Sequence, residues 1–224
     1  MFNGFTKAAS ELLWELRFNN ERPWFLAHKE QFEALVNEPF KALAKETYSV
    51  YTAEHPDREY GLHISRIYRD ARRLHGHGPY KDHLWFSFYP ADMAEPRPSL
   101  WFEVGAEGFN FGVGMWAPSA VYMQAFRQHI DANPARFERI VNDMLAGGEF
   151  RVCGEEYSRP KGDRGELINQ FYNRKHIDVE SRNDFDGVLL SPDMSGYLAD
   201  EFGKLTPLYD FLTEFVKGMD TTER

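Results

Sequence analysis

The sequence predicts an α+β fold in which helices cover an antiparallel meander sheet, within a single domain over residues 1–224. Two observations carry this prediction. Apolar residues recur at helical spacing up to Tyr51, alternate with period two between residues 62 and 116, and return to helical spacing afterwards. Short links join the three central strand candidates, which favours antiparallel neighbours. No internal repeat or linker-like tract divides the chain.

The N-terminal segment is predicted to be helical. A first helix is expected over residues 6–18, with Thr6 as its N-cap. Its apolar stripe consists of Leu12, Leu13 and Leu16. Pro23 stands where the first turn of a second helix tolerates proline. Pro39 is expected to kink or restart this second helix, which continues towards Tyr51.

The remaining elements follow the same two patterns. Apolar and polar residues alternate in four segments between turn-forming stretches, which is typical of strands. These segments are 62–68, 84–89, 99–105 and 108–116. Helical spacing then returns. The helices predicted from it are 118–131, 135–145, 162–172 and 195–217. Two further strands are expected at 148–158 and 176–181.

The alternation divides the central strands into two faces. The apolar face is predicted to be the core, and it consists of Leu84, Phe86, Phe88, Leu100, Phe102, Val104, Phe109, Phe111, Val113 and Met115. The opposite face carries Trp85, Ser87, Tyr89, Trp101, Glu103, Asn110, Gly112, Gly114 and Trp116. Glycine inside a strand often marks the close approach of a ligand or of another backbone. This second face is therefore expected either to form the bottom of a ligand pocket or to be covered by a second layer of helices.

The composition restricts the class of protein. With 27% charged and 16% aromatic residues, the chain has the composition of a folded protein. A net charge of −9 argues against broad nucleic-acid binding, which needs a basic face. No apolar run approaches the ~20 residues that cross a bilayer, and the N-terminus lacks a secretory pattern, so no membrane partner is expected. The single Cys153 excludes an intrachain disulfide and favours a cytoplasmic location.

Positive charge is concentrated in one window of this acidic chain. Residues 58–83 contain six Lys or Arg against three acids, together with four of the eight histidines. Within the window, LHGHGPYK (74–81) adds flexible glycines and a proline-fixed turn, whose backbone N–H groups could wrap an anion. Two interpretations remain open, which are an anion-binding site and a structural network of ion pairs.

In an anion site, most of the polar residues of this window have a role. Arg66, Arg69 and Lys81 would supply positive charge, and Tyr80 would donate a hydrogen bond. Asp70 would hold the planar fork of an arginine in one orientation.

Residues outside the window extend this hypothesis. Arg159 and Lys161 in the segment RPKG could complete the rim from a distant loop. If the protein is an enzyme, Asp70 or Glu103 would be the general base and a histidine the acid.

No metal or cofactor is predicted. The spacing of His75 and His77 suits a transition metal, but no third ligand stands at a recognisable spacing, and HExxH and CxxC motifs are missing. The motifs GxSxG, Walker A and GxGxxG are also missing. The sequence therefore leaves the cofactor unknown and the question of enzymatic activity open.

Several motifs are distributed in order along the chain. They are FNNERPWF (18–25), RIYRD (66–70), PYK (79–81), FGVGMWAP (111–118), Arg127, RPKG (159–162), Lys175 and TPLYDFL (206–212). Together they resemble an uncharacterised, mostly bacterial domain-of-unknown-function family, over roughly residues 5–216. The resemblance implies a serine- and lysine-rich stretch before PYK, where this chain instead has LHGHG (74–78) and less fixed positive charge. It implies no particular activity.

The expected function is therefore the binding of a small phosphorylated or carboxylated ligand in a pocket, with hydrolysis or transfer as the reaction class if the protein is an enzyme. The alternative is a non-enzymatic interaction module whose aromatic sheet face meets a protein partner. The first function requires the cations of residues 66–81 to converge in a cleft. The second requires a flat, exposed aromatic patch.

Overall fold

The architecture is an α+β fold, as predicted. The structure is a computed structural model that describes residues 1–70, 72 and 78–219. The helices are α1 (Lys7–Phe18), α2 (Arg22–Phe32), α3 (Glu38–Glu54), α4 (Ala120–Ala132), α5 (Pro134–Leu145), α6 (Glu166–Tyr172) and α7 (Met194–Gly218). The strands are β1 (Tyr60–Ile64), β2 (His83–Pro90), β3 (Pro98–Gly105), β4 (Gly108–Met115), β5 (Arg151–Cys153) and β6 (Ile177–Asp184). Within these residues, no helix is long and apolar enough to cross a bilayer.

The strands form one sheet in the order β1-β2-β3-β4-β6-β5, and all neighbours are antiparallel. The first four strands are the predicted meander. Strand β6 then pairs with β4, and the short β5 forms the far edge beside β6. His83, at the start of β2, and Gly105, at the end of β3, lie at one end of the sheet. Met115 and Ile177 lie at the other end.

The predicted apolar face is the core. All ten of its residues are at most 3% exposed. Helices α3 and α7 cover it, with Phe40 of α3 5.7 Å from Phe86 and Phe202 of α7 5.4 Å from Phe88, measured between ring centroids. Helices α4 and α5 pack against the C-terminal half of α7. Edge-to-face and tilted ring pairs of this kind add to the area that the rings bury.

Three of the sequence predictions need correction. The first strand ends at Ile64 rather than residue 68, because the chain leaves the sheet at Ser65, whose hydroxyl oxygen accepts from the main-chain N–H of Trp85 at 2.9 Å. The predicted strand 148–158 is reduced to β5, since Gly154 has a φ of 101° and ends the extended conformation. Thr6 occupies the N-cap of α1, but its side chain makes no capping hydrogen bond.

Pro39 acts as expected on the second helix. A π-helical turn, Glu33–Asn37, joins α2 to α3, and Pro39 follows in the first turn of α3. Because proline has no N–H for the helical ladder, the preceding turn widens and a new helix starts.

The second sheet face, which we call the aromatic face, carries Trp85, Ser87, Tyr89, Trp101, Glu103, Asn110, Gly112 and Gly114. Its glycines are explained by another backbone, since a Cβ on Gly112 would lie 1.9 Å from the carbonyl oxygen of Val179. The ring of Trp101 covers the same glycine. Among the described residues, Trp85 and Trp101 are half-buried and do not belong to the hydrophobic core. The face is thus partly open to solvent.

Candidate anion-binding site

Two backbone hydrogen bonds position the basic residues beyond the end of β1. The N–H of Arg69 donates to the carbonyl of Pro79 at 2.9 Å, and the N–H of Lys81 donates to the carbonyl of Ile67 at 2.7 Å. This short antiparallel pairing brings Arg66 and Arg69 beside Lys81. The rest of the predicted basic loop, residues 71 and 73–77, lies outside the described residues, and this includes His75 and His77.

Lys81 is the centre of the arrangement. Its ammonium donates to the carbonyl oxygen of Arg66 at 2.8 Å and lies 5.9 Å from the ring centroid of Trp85, on the aromatic face. Burial lowers the pKa of Lys81, and the charges of Arg69 and Arg66 lower it further, while Glu103 acts in the opposite direction. Within the described residues, Lys81 makes no ion pair with a carboxylate.

Arg69 is held in place by contacts with Tyr80 and Asp82. Its Nε donates to the carbonyl oxygen of Tyr80 at 2.8 Å, and its guanidinium lies 3.6 Å from a carboxylate oxygen of Asp82. Arg17 of α1 donates to the other oxygen of that carboxylate at 2.6 Å. Hydrogen bonds from His83 and Arg17 hold the pKa of Asp82 well below its usual range. The structural ion-pair network, which was the alternative to an anion site, is therefore present around Asp82.

His83 connects this network to the aromatic face. Its Nδ1 lies 3.1 Å from Asp82, and its Nε2 lies 3.8 Å from a carboxylate oxygen of Glu103. Glu103 is the register partner of Trp85 across β2 and β3. A carboxylate that binds Nδ1 fixes the orientation of the imidazole, so that Nε2 faces Glu103 and the open side of the sheet.

A second histidine borders Lys81 on this face. His63 of β1 stacks on Trp85, with 4.8 Å between ring centroids. Burial lowers the pKa of His63, and the charges of Lys81 and Arg97 lower it further. Arg97 itself lies 3.4 Å over the ring of Tyr89. Three cationic or protonatable side chains thus share the β1–β2 part of the aromatic face.

Tyr80 lies in the core rather than beside the cations. Its side chain is 3% exposed, and its ring stacks on Phe25 at 4.0 Å. Asn20 fixes its backbone, because the Asn20 amide oxygen accepts from the Tyr80 N–H at 3.0 Å and the amide nitrogen donates to the Tyr80 carbonyl at 2.9 Å. The motifs FNNERPWF and PYK therefore meet in space. Asn20, within FNNERPWF, is a positioning residue that sequence reasoning missed.

Asp70 holds a different arginine from those at Lys81. The guanidinium of Arg72 donates to both carboxylate oxygens of Asp70, with the shortest contact at 2.7 Å, and the Arg72 side chain is 87% exposed. Asp70 is thus occupied at the surface, beside the loop that continues outside the described residues.

Arg159 and Lys161 lie at the other end of the sheet. The β5–β6 ladder pairs Cys153 with Asp178, and the chain continues beyond it to a bridge between Glu156 and Arg174. This places residues 159 and 161 beyond the Ile177 end of β6. Lys81 lies at the opposite end of the sheet, two residues before β2 starts at His83. The structure does not bring these two groups of cations together.

The described residues contain no group of three or more His, Cys, Asp or Glu side chains arranged to hold a metal ion. The metal ligands considered from sequence, His75 and His77, are not among these residues.

The fold and the site define a class of antiparallel α+β proteins with a lysine and two arginines gathered at one sheet end. Residues 8–211 match the family described as conserved hypothetical protein (DUF2461), and the chain belongs to this family. The resemblance derived from the motifs is thereby confirmed. A comparison with curated proteins found no match.

Proposed function

We propose that this protein binds a small phosphorylated or carboxylated ligand on the aromatic face, at Lys81. The observation that carries the proposal is the position of the Lys81 ammonium. It is half-buried, tethered to the Arg66 carbonyl and close to Trp85, and it makes no ion pair with any described carboxylate. A partly desolvated cation without a counter-ion is a favourable partner for an anion.

The charges around Lys81 support this ligand class. Arg66 and Arg69 each disfavour the charged form of Lys81, so the three cations repel one another. An arriving phosphate or carboxylate would relieve this repulsion and would restore the pKa of Lys81. Arg66 is exposed and forms no ion pair among the described residues, so its guanidinium is free to turn towards the ligand.

The neighbouring histidine and carboxylate suit proton transfer on the bound ligand. Glu103 is the proposed general base, and His83, oriented by Asp82, is the proposed acid, which is the pairing that hydrolysis or group transfer needs. Asp70 is left out of this role because Arg72 occupies both of its oxygens. The cytoplasmic location expected from the single Cys153 is kept as part of the proposal.

A second proposal, a protein-interaction module, is favoured by Trp116. This residue follows β4 directly and is 85% exposed, which is unusual for tryptophan. A partner protein would cover the Trp116 end of the aromatic face, away from Lys81.

Thermal unfolding in inorganic phosphate tests the first proposal. A ligand at a concentration 100 times its Kd stabilises the native state by about 2.7 kcal/mol. We expect phosphate, compared with chloride at equal ionic strength, to raise the Tm of the wild type and to raise that of Lys81→Met much less. Lys45→Met is the matched control, since Lys45 is exposed on α3 and its loss removes the same charge. Equal responses of Lys81→Met and Lys45→Met would show that Lys81 does not bind phosphate.

A further inference from the structure

We infer that a second small-anion site lies at the opposite end of the sheet, on the Tyr157 cluster, which consists of Arg127, Tyr157 and Lys161. Its ligand is a group that carries a phosphate or carboxylate. The inference is independent of the site at Lys81, because different elements supply its residues.

Arg127 supplies the first observation. It projects from α4, and its NH1 atom is buried without a hydrogen-bond partner in the described part of the chain. Its guanidinium carbon lies 5.8 Å from the centroid of the Tyr157 ring. Buried polar atoms are almost always hydrogen-bonded, and a charged one without an acceptor is costly. A bound oxyanion would supply the acceptor that this NH1 atom lacks.

The carboxylate of Asp131, on the same helix face, has other partners. Asp131 stands one turn after Arg127 on α4, at a spacing where opposite charges can interact. Its Oδ1 instead accepts from Arg164 at 2.7 Å, and its Oδ2 accepts from the hydroxyl of Tyr172 at 2.8 Å. Within the described residues, no hydrogen bond or ion pair joins Asp131 to Arg127.

Lys161 supplies the second observation. Its ammonium lies 4.3 Å from the centroid of the same Tyr157 ring, and it forms no ion pair over the described ranges. The loop that carries it is fixed, because the side-chain oxygen of Asn173 accepts from the backbone N–H of Lys161 at 2.7 Å and from that of Gly162 at 3.3 Å. Two cations on separate elements thus meet at one ring.

The acids that precede Tyr157 do not neutralise these cations. Glu156 pairs with Arg174 at 3.4 Å, and Glu155 pairs with Lys175. An oxyanion seated between Arg127 and Lys161 would give the guanidinium its missing acceptor. The planar fork of arginine suits the paired oxygens of carboxylate and phosphate alike.

Phosphate titrations of variants test this inference, with thermal unfolding as the readout. Arg127→Met keeps the aliphatic stem and removes the charge, and Lys161→Met does the same at an exposed position that leaves the core untouched. In a Lys81→Met background, where the first site is lost, we expect a residual phosphate response. Either further substitution should weaken this response at least about tenfold in apparent affinity. Arg139→Met, at an exposed position of α5, is the charge-matched control and should leave the response unchanged.

The melting temperature without phosphate separates a binding role from a structural one. A ligand-binding Arg127 is an uncompensated charge in the free protein, so Arg127→Met should melt at the same or a higher temperature than the wild type. The inference is wrong if Lys81→Met shows no residual phosphate response, or if Lys161→Met leaves that response intact. It is also wrong if Arg127→Met lowers the Tm and the phosphate response is unchanged.

Discussion

Lys81 donates a 2.8 Å hydrogen bond to the main-chain carbonyl of Arg66, the residue whose side chain also disfavours its charged form. The backbone therefore holds two cations together that would otherwise separate. A structural ion pair joins a cation to a carboxylate, as the guanidinium of Arg69 is joined to Asp82. Lys81 is instead held beside other cations. Binding of an anion is the function that this tether serves in our account.

Glu103→Gln tests the electrostatic part of the site. Glu103 is the carboxylate that raises the pKa of Lys81, so it also repels an incoming anion. We expect Glu103→Gln to bind phosphate about two- to tenfold more tightly, which corresponds to roughly 0.4–1.4 kcal/mol, as measured by calorimetric titration. Weaker binding in this variant would mean that Glu103 does not face the ligand. Turnover of any phosphate ester found to be a substrate should be lost in the same variant, because the proposed base is gone.

Asp82→Asn tests the ion-pair network beneath the site. The folded pKa of Asp82 is depressed, so its stabilisation is present above the unfolded value of about 3.9 and is lost as the pH falls through the folded pKa. We expect Asp82→Asn to lose about 1.5–3 kcal/mol at pH 7, and the difference from wild type to shrink below pH 4. Urea unfolding at the two pH values measures it. Glu107→Gln, the exposed partner of Arg17, should cost less than about 1 kcal/mol; equal losses in both variants would contradict the assignment.

Asp178 is expected to destabilise the protein at neutral pH. Burial raises its pKa to about 6, and the charge of Glu180 contributes. Because the folded state binds this proton more tightly, stability is greatest below the unfolded pKa and decreases as the pH rises through about 6. We expect Asp178→Asn to be about 2–3 kcal/mol more stable than wild type at pH 7 and equal to it near pH 3. Asp184→Asn, exposed at the end of the same strand, should change little at either pH. An Asp178→Asn variant no more stable at pH 7 would show that this carboxylate is solvated.

Gly112→Ala tests the close approach of β4 and β6. A Cβ at Gly112 would meet the Val179 carbonyl oxygen at 1.9 Å, so the strands must shift. We expect a loss of about 3 kcal/mol or more in chemical denaturation. At Gly203 of α7, a Cβ would have no neighbour within 4 Å, so Gly203→Ala should instead stabilise by roughly 0.5–1 kcal/mol. A loss below about 1 kcal/mol in Gly112→Ala would contradict the close approach of the Val179 carbonyl to Gly112.

The sheet and its core face could be predicted because they depend on local patterns. Alternation places successive side chains on opposite faces, so the burial of Phe86 and Phe102 follows from their positions in the strands. The end of β1 could not be predicted, since it depends on the bonds that Ser65 makes with Trp85 in another strand.

The site could be predicted only for residues that lie close together in the sequence. Arg66, Arg69 and Lys81 stand in one window of sequence, and the pairing of 67–69 with 79–81 brings them together. Arg17 pairs with Asp82 across 65 positions, which no spacing indicates. Lys161 was assigned to the same rim because it is basic and lies in a motif, but the β5–β6 register places it at the other end of the sheet. Long-range register is thus the information that the pattern of residues lacks.

An NMR pH titration of the His63 imidazole, with and without inorganic phosphate, tests the central claim most directly. His63 stacks on Trp85, and Lys81 is one of the cations that lower its pKa. Phosphate bound at Lys81 should raise the pKa of His63, whereas phosphate bound at the Tyr157 cluster should leave it unchanged. In Lys81→Met we expect a higher His63 pKa before any addition and no further rise with phosphate. A wild-type His63 pKa that stays constant up to saturating phosphate would contradict anion binding at Lys81.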